Sequence, residues 1–256
     1  LPGLLGWVIR RLDRAFINSC ALLVATTPAF VEVYYRQWLG ASVPALVIEN
    51  KLEADFAAEA IPASTSPKQE QQALVERPLR IGYFGGLRCE WTWRVLKALA
   101  LEIEIVLAGY VMAPADLLAQ VEGIPNVEYR GQYRSPQDLP GLYGSVDLIW
   151  GCYQPIGPDD WNLRWARPNR FYESCYFQVP IVSRAGSCDS EEVARYNIGF
   201  IVSEEEENDV VEALGRITPE DLATWQRNMS ELPAHVCTYT TETDKLTEFL
   251  LRIVDT

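Results

Sequence analysis

From residue 79 onward the chain repeats one motif that few folds can accommodate: a short, almost wholly apolar run, a turn, and an amphipathic stretch. Leu79-Arg80-Ile81-Gly82-Tyr83-Phe84 and Ile103-Glu104-Ile105-Val106-Leu107-Ala108 are typical runs. Runs of this length read as strands. Strands that lack polar alternation are covered on both faces, and strands separated by helices pair in parallel. The pattern predicts strands at 79–84, 103–108, 127–130, 147–150, 180–183 and 199–202. Helix starts are marked by a cap residue before a proline in Ser135-Pro136 and Thr218-Pro219, and Ser203 with Glu206 fits a capping box. The predicted class is α/β, a doubly wound Rossmann-like parallel sheet.

Two further strands are predicted upstream, at 21–26 and 45–50. Between them Thr27-Pro28 opens a helix, Phe30, Tyr34 and Trp38 share one face, and Gly40 closes it. These elements predict a partial N-terminal α/β domain over 1–60. A stretch rich in Ala, Pro, Ser and Gln without apolar period predicts a linker at 61–78. The main domain is expected at 79–240. A terminal helix is expected within 241–256, with Leu246, Phe249, Leu250 and Ile253 on one side.

Composition narrows the partners. Thirty-five acidic against 22 basic residues give a formal net charge of −13 with one histidine. A nucleic-acid backbone binder needs a basic face, so no nucleic acid is expected. A phosphorylated small molecule stays admissible, because a few local donors decide its binding. Cysteines 20, 89, 152, 175, 188 and 237 form no CxxC pair and have no histidine cluster beside them. They predict reduced thiols in a cytoplasmic protein and no metal site. No apolar run reaches the roughly 20 residues of a membrane span. Leu1–Arg11 is hydrophobic but lacks the basic start and cleavage site of a signal peptide.

Ligands of open parallel sheets sit beyond the carboxyl ends of the strands. Four predicted strands finish in glycine, at Gly85-Gly86, Gly109, Gly131 and Gly151, which suggests an edge kept clear of side chains. Phe84-Gly85-Gly86-Leu87-Arg88, before a helix expected near Glu90, offers backbone amides and a cation to an anion. It matches neither G-x-G-x-x-G nor the P-loop. Arg167-Pro168-Asn169-Arg170-Phe171-Tyr172-Glu173 opens an apolar helix running to Val179. Arg170 and Glu173, three apart, project from one face, either as a surface ion pair or as ligand-binding groups.

At these residues the sequence resembles the large retaining group of GT-B glycosyltransferases, used in capsule, lipopolysaccharide and glycolipid assembly. Pro168-Asn169-Arg170-Phe171-Tyr172-Glu173, followed by Gln178-Val179-Pro180-Ile181-Val182, is similar to the family's P-N-K-x-x-E … G-x-P-(I/V)-(I/V) stretch. Ala21–Thr27 and Ala45–Lys51 resemble the close of the family's N-terminal domain. The resemblance implies a metal-independent transfer of sugar from a UDP- or GDP-linked donor to a glycan or lipid-linked acceptor, with no other cofactor.

It also implies donor-site roles. Gly85 and Gly86 would lie against the diphosphate, with Arg88 and Arg170 as counter-charges. Glu173 would hold the ribose, and Tyr133 and Arg134 belong to the loop that holds the base. Asn162 would face the donor sugar, Asn169 is part of the motif, and Ser187–Glu191 would close over the phosphates. No catalytic residue is assigned. Trp165 stands where the family has the first glutamate of a pair, and the chain begins near the end of the acceptor-side domain, so a truncated piece is expected. Two other readings stay open: a catalytically incomplete nucleotide-sugar-binding fragment or scaffold subunit, and a GT-B-fold epimerase, for which His235 offers little acid–base capacity. The terminal helix leaves peripheral membrane association or a homodimer open.

Overall fold

A computed structural model of the chain describes residues 3–56 and 77–254. All but the last two positions of the expected linker at 61–78 lie outside the described residues, as does the Ile253 side chain.

Strands β3 (Arg80–Leu87), β4 (Glu104–Val111), β5 (Val127–Tyr129), β6 (Leu148–Trp150), β7 (Ile181–Arg184) and β8 (Gly199–Val202) form one six-stranded sheet. Their order is β5-β4-β3-β6-β7-β8 and every pairing is parallel. Each strand predicted after residue 78 is present. Side chains sort by parity as a two-faced sheet requires. Ile105, Leu107, Leu148 and Trp150 enter one buried cluster with Leu96 and Leu214. Val106, Ala108 and Ile149 enter the other with Tyr143, Phe171 and Val193. Helices α3 (Glu90–Leu99) and α9 (Glu207–Leu214) cover the first face; α5 (Leu139–Tyr143), α7 (Asn169–Phe177) and α8 (Cys188–Tyr196) cover the second.

The chain builds outward from β3 through β4 to β5, then crosses back to β6 and builds outward to β8. The switch point therefore falls between β3 and β6, where a doubly wound sheet opens a crevice. These strands pair only at Ile81–Leu148 and Gly82–Ile149, whereas β3 stays paired with β4 from Arg80–Glu104 through Leu87–Val111. β3 and β4 thus run about three residues beyond their predicted ends. Gly85 and Gly86 are strand residues, not loop residues as expected.

The glycine row has a backbone reason of its own. Gly85 and Gly109 are register partners at positive φ, 109° and 126°. A Cβ on Gly109 would stand 1.8 Å from the Gly85 carbonyl oxygen. The Gly109 N–H donates to the Gly131 carbonyl at 2.8 Å. Three backbone segments meet here at close approach, and at Gly109 that approach, not ligand access, requires glycine.

Of the local helix-start signals, one forms as expected and two do not. Thr218 and Asp221 form the reciprocal capping box at α10 (Pro219–Ser230). The box expected at Ser203 does not form: α9 is capped at Glu206, and the Glu204 carboxylate accepts the Ser203 N–H instead. α5 starts at Leu139, after Ser135-Pro136, because Asp138 turns back to accept the Arg134 N–H.

The N-terminal elements form a small βαβ unit. β1 (Leu23–Ala25) pairs in parallel with β2 (Ala45–Val47) across α2 (Phe30–Trp38), a helix of π type. Before it lies α1 (Leu4–Asn18), an amphipathic helix absent from the predicted elements, with Leu5, Leu12 and Phe16 exposed. Among the described residues no helix is long and apolar enough to cross a membrane.

Two seams join this unit to the main sheet. An aromatic ladder links α2 to α6 (Trp161–Trp165): Tyr34 stacks on Trp38 at 5.1 Å, Trp161 meets both edge-on, and Trp165 meets Phe30 at 5.9 Å. Beyond β2, Glu49 accepts from Arg167 at 2.7 Å and from the Tyr172 hydroxyl at 3.1 Å, with Lys51 at 3.4 Å. Lys51 also donates to Glu242, at 2.7 Å, in the terminal helix α11 (Glu242–Val254). Leu250 on that helix is half exposed.

Two outcomes follow for stability. Gly109→Ala forces the β3–β4 junction apart and lowers unfolding free energy by at least about 2 kcal/mol in urea denaturation. Glu49→Ala takes the carboxylate from Arg167, which is largely buried, while Lys51 keeps Glu242, and costs roughly 3 kcal/mol by the same measurement.

Candidate functional site

The site is built where β3 and β6 part. Beyond Gly82 the backbone of β3 has lost its β6 neighbour, so the Phe84 carbonyl needs a donor from elsewhere. Arg170, in the first turn of α7, supplies it with Nη1 at 3.1 Å. Its Nη2 donates to the Tyr153 hydroxyl on the opposite lip, just past β6. The guanidinium also lies over the Tyr83 ring, 4.7 Å from the centroid. Arg170 is 6% exposed. Burial works against its charge, but the surrounding tyrosines, 153 and 83 first, outweigh that and hold the pKa above its usual value.

Glu173, one helical turn on, is equally buried. It turns to Tyr143, whose hydroxyl donates to Oε2 at 2.7 Å. Burial raises the Glu173 pKa, opposed by the Tyr143 hydrogen bond and the Arg170 charge. Tyr133 stands beside it, its own pKa pushed up to about 12 by burial and then by the Glu173 charge. A Cβ built on Gly85 would come 3.9 Å from the Tyr133 hydroxyl, so Gly85, Tyr133 and Glu173 share one neighbourhood.

On the other side of Tyr153 a small cleft of about 50 Å³ opens. Arg88, Tyr153, Asn162, Arg184, Ser187 and Asp189 line it. Arg88 donates to the Tyr153 hydroxyl at 3.3 Å and lies over its ring. Ser187 caps α8, so the helix N-terminus also faces the cleft. Asp189 is fully enclosed. Burial raises its pKa, while the Ser187 and Ser183 hydroxyls pull it down.

The residues singled out from sequence thus divide. Arg170, Gly85, Tyr133 and Glu173 converge at the switch point, and Arg88 and Asn162 line the adjoining cleft. Gly86 faces the opposite way, toward Tyr110 and Met112. Asn169 is exposed at the start of α7. Arg134 departs from the expectation: its side chain is 78% exposed and forks onto Asp138, which also takes its backbone N–H. That local carboxylate holds it away from the crevice. Trp165 does not enter the cleft; it packs in the aromatic ladder, and its carbonyl accepts from Thr27 at 2.8 Å.

Tyr143, Tyr153 and Arg184 were not singled out from sequence. The last two each end a strand run, at Trp150-Gly151-Cys152-Tyr153 and Ile181–Arg184. The carboxyl-end rule that drew attention to the glycines points to them equally. Tyr143 carried no local signal.

Comparison with known proteins agrees with this architecture. No family model matches the chain. The succinoglycan biosynthesis protein ExoL of Rhizobium meliloti (strain 1021) is 30% identical over 231 residues, 84% of this chain and 54% of that protein. The chain therefore spans about half the length of that relative. Anabaena HepE, solved in complex with UDP-glucose, superposes over 96% of this chain and 68% of its own, with TM-score 0.68 and 16% identity. Sucrose-phosphate synthase from Thermosynechococcus elongatus matches 97% of this chain and 62% of its own, with TM-score 0.68 and 15% identity. WaaG, a glycosyltransferase involved in lipopolysaccharide biosynthesis, matches 88% and 61%, with TM-score 0.61 and 14% identity. A parallel sheet reversing at β3 and β6, a charged helix start at that reversal and these superpositions lead to one conclusion: the chain is built on the GT-B fold of the glycosyltransferases.

Proposed function

We propose that the chain forms the donor side of a glycosyltransferase that moves a sugar from a nucleoside diphosphate to a glycan or lipid-linked acceptor. The observation that carries the reading is the buried Arg170 at the switch point, joining the Phe84 carbonyl to Tyr153, with Glu173 one turn behind it beside Tyr133 and Gly85. A carboxylate sunk into a sheet crevice beside a cleft lined by Arg88 and Arg184 suits a ligand that is part polyol and part phosphate. HepE, which matches along nearly the whole chain, was solved with UDP-glucose.

In this reading the nucleoside lies over Gly85 and Tyr133, and Glu173 accepts from the ribose hydroxyls with its oxygen not engaged by Tyr143. The diphosphate passes Tyr153 toward Arg88 and the N-terminus of α8. Asn162 stands over the sugar. As the glycosidic bond breaks, charge grows on the diphosphate. Arginines and helix-end amides already aimed at it stabilise that charge without reorganising. Transfer then proceeds without a divalent metal and with retention at the anomeric carbon.

A second reading, a nucleotide-sugar binder that transfers nothing, is favoured by Trp165. Its ring is engaged by Phe30 and Trp161, so that position offers no carboxylate to the donor sugar.

Calorimetric titration with UDP- and GDP-sugars, followed by an assay for nucleotide release, separates the readings. Binding with release supports the transferase, binding without release the non-catalytic form, and no binding of either class retires both. Glu173→Ala and Arg88→Ala are each expected to weaken diphosphate-nucleotide binding by roughly 1–3 kcal/mol while the protein stays folded. Chelation with EDTA is expected to leave affinity and release unchanged; a drop in either counts against the metal-free route.

A further inference from the structure

The cleft beyond Tyr153 holds a cation that the preceding assignment does not use. Arg184 closes β7 at its carboxyl end and is 5% exposed. Two of its three nitrogens are occupied: Nε donates to the Tyr153 carbonyl at 3.0 Å, and Nη1 to the Glu204 carbonyl at 2.6 Å. The guanidinium plane lies over Trp91, 4.6 Å from the ring centroid, so its orientation is fixed. Nη2 is buried and has no hydrogen-bond partner. A guanidinium nitrogen carries only donors, and leaving one buried and unpaired is costly. The buried Cys152 thiol stands beside this guanidinium, a weak acceptor that leaves Nη2 short of a full partner.

Arg170 is the contrasting case. Both its terminal nitrogens are taken, by Phe84 and Tyr153, and it does not line the cleft. Arg184 does, together with Arg88 and the Ser187 end of α8. We infer that Arg184, with Arg88, receives the terminal, sugar-bearing phosphate of the donor, and that Arg170 positions Tyr153 and the β3 end instead of gripping the phosphate itself. This rests on the donor-site reading above.

The order of contacts gives the direction. Glu173 and Tyr133 adjoin Gly85; Phe84 leads through Arg170 to the Tyr153 hydroxyl; the Tyr153 carbonyl leads on to Arg184. A nucleoside at the first end therefore sets its terminal phosphate, not the inner one, on the Arg184 side of Tyr153. Among the described residues Asp189 is the one carboxylate lining the same cleft, and Ser183 and Ser187 engage it. Burial pushes its pKa upward, and the two hydroxyls hold it down.

The test compares nucleotides that differ only in the terminal phosphate. Wild type and Arg184→Gln are titrated calorimetrically with UDP and UMP, and with GDP and GMP, after circular dichroism confirms folding. The expected result is that Arg184→Gln loses tenfold or more in affinity for the diphosphate and less than threefold for the monophosphate. An equal loss for both, or no loss, overturns the inference while leaving the donor-site reading intact. If wild type binds neither diphosphate, both fall together. Should Arg184→Gln fail to fold, Arg184→Lys, which keeps the charge and drops the forked nitrogen, is judged by the same diphosphate-to-monophosphate ratio.

Discussion

Arg170 sits at the centre of the molecule because the sheet needs it there. Where β3 leaves β6, a strand carbonyl is exposed inside the protein, and a guanidinium is one of few groups that can reach across such a gap and donate to both lips. Burying that charge would be prohibitive in an apolar setting. Tyr83 below it and Tyr153 beside it supply a ring face and a hydroxyl, and the Phe84 carbonyl completes the set. Once that seat is filled, much else is placed: the Gly85 backbone is held, Tyr153 is aimed, and Arg88 comes to rest on the Tyr153 ring.

The cleft nevertheless depends on residues far from the sheet. Helix α6, which carries Asn162, is short and has no buried residue of its own. Its position comes from the aromatic ladder to α2 and from the Thr27 hydrogen bond to Trp165. The Glu49 network does similar work at the start of α7, holding Arg167 and Tyr172 on either side of Arg170 in sequence. The N-terminal βαβ unit is thereby part of the site's scaffold: loosening either seam would let the cleft wall drift while the six-stranded sheet stayed whole.

Charge is distributed against the overall balance. A chain of net −13 directs Arg88, Arg170 and Arg184 toward one crevice. Its two buried acids nearby, Glu173 and Asp189, are engaged by hydroxyl donors. Burial raises the pKa of both. Net charge describes how the surface meets solvent; local donors decide what a crevice accepts.

Sequence alone determined the parallel α/β sheet, because strand length, apolar continuity and helix spacing are local properties that admit one layered arrangement. It also made Gly85, Arg170 and Glu173 conspicuous, since each breaks a local pattern: glycine within an apolar run, charge on an apolar helix. It did not reveal α1, whose exposed apolar residues form no core signature. Nor could it show that Gly109 answers to a neighbouring strand, that Arg134 turns outward to Asp138, or that Arg184 keeps a nitrogen free while Arg170 does not. Those facts belong to tertiary structure. Apart from the Arg134–Asp138 pair, four residues apart, they rest on which backbone carbonyls and rings arrive from 17 or more residues away, and no spacing along the chain encodes how a guanidinium's three nitrogens are shared among them.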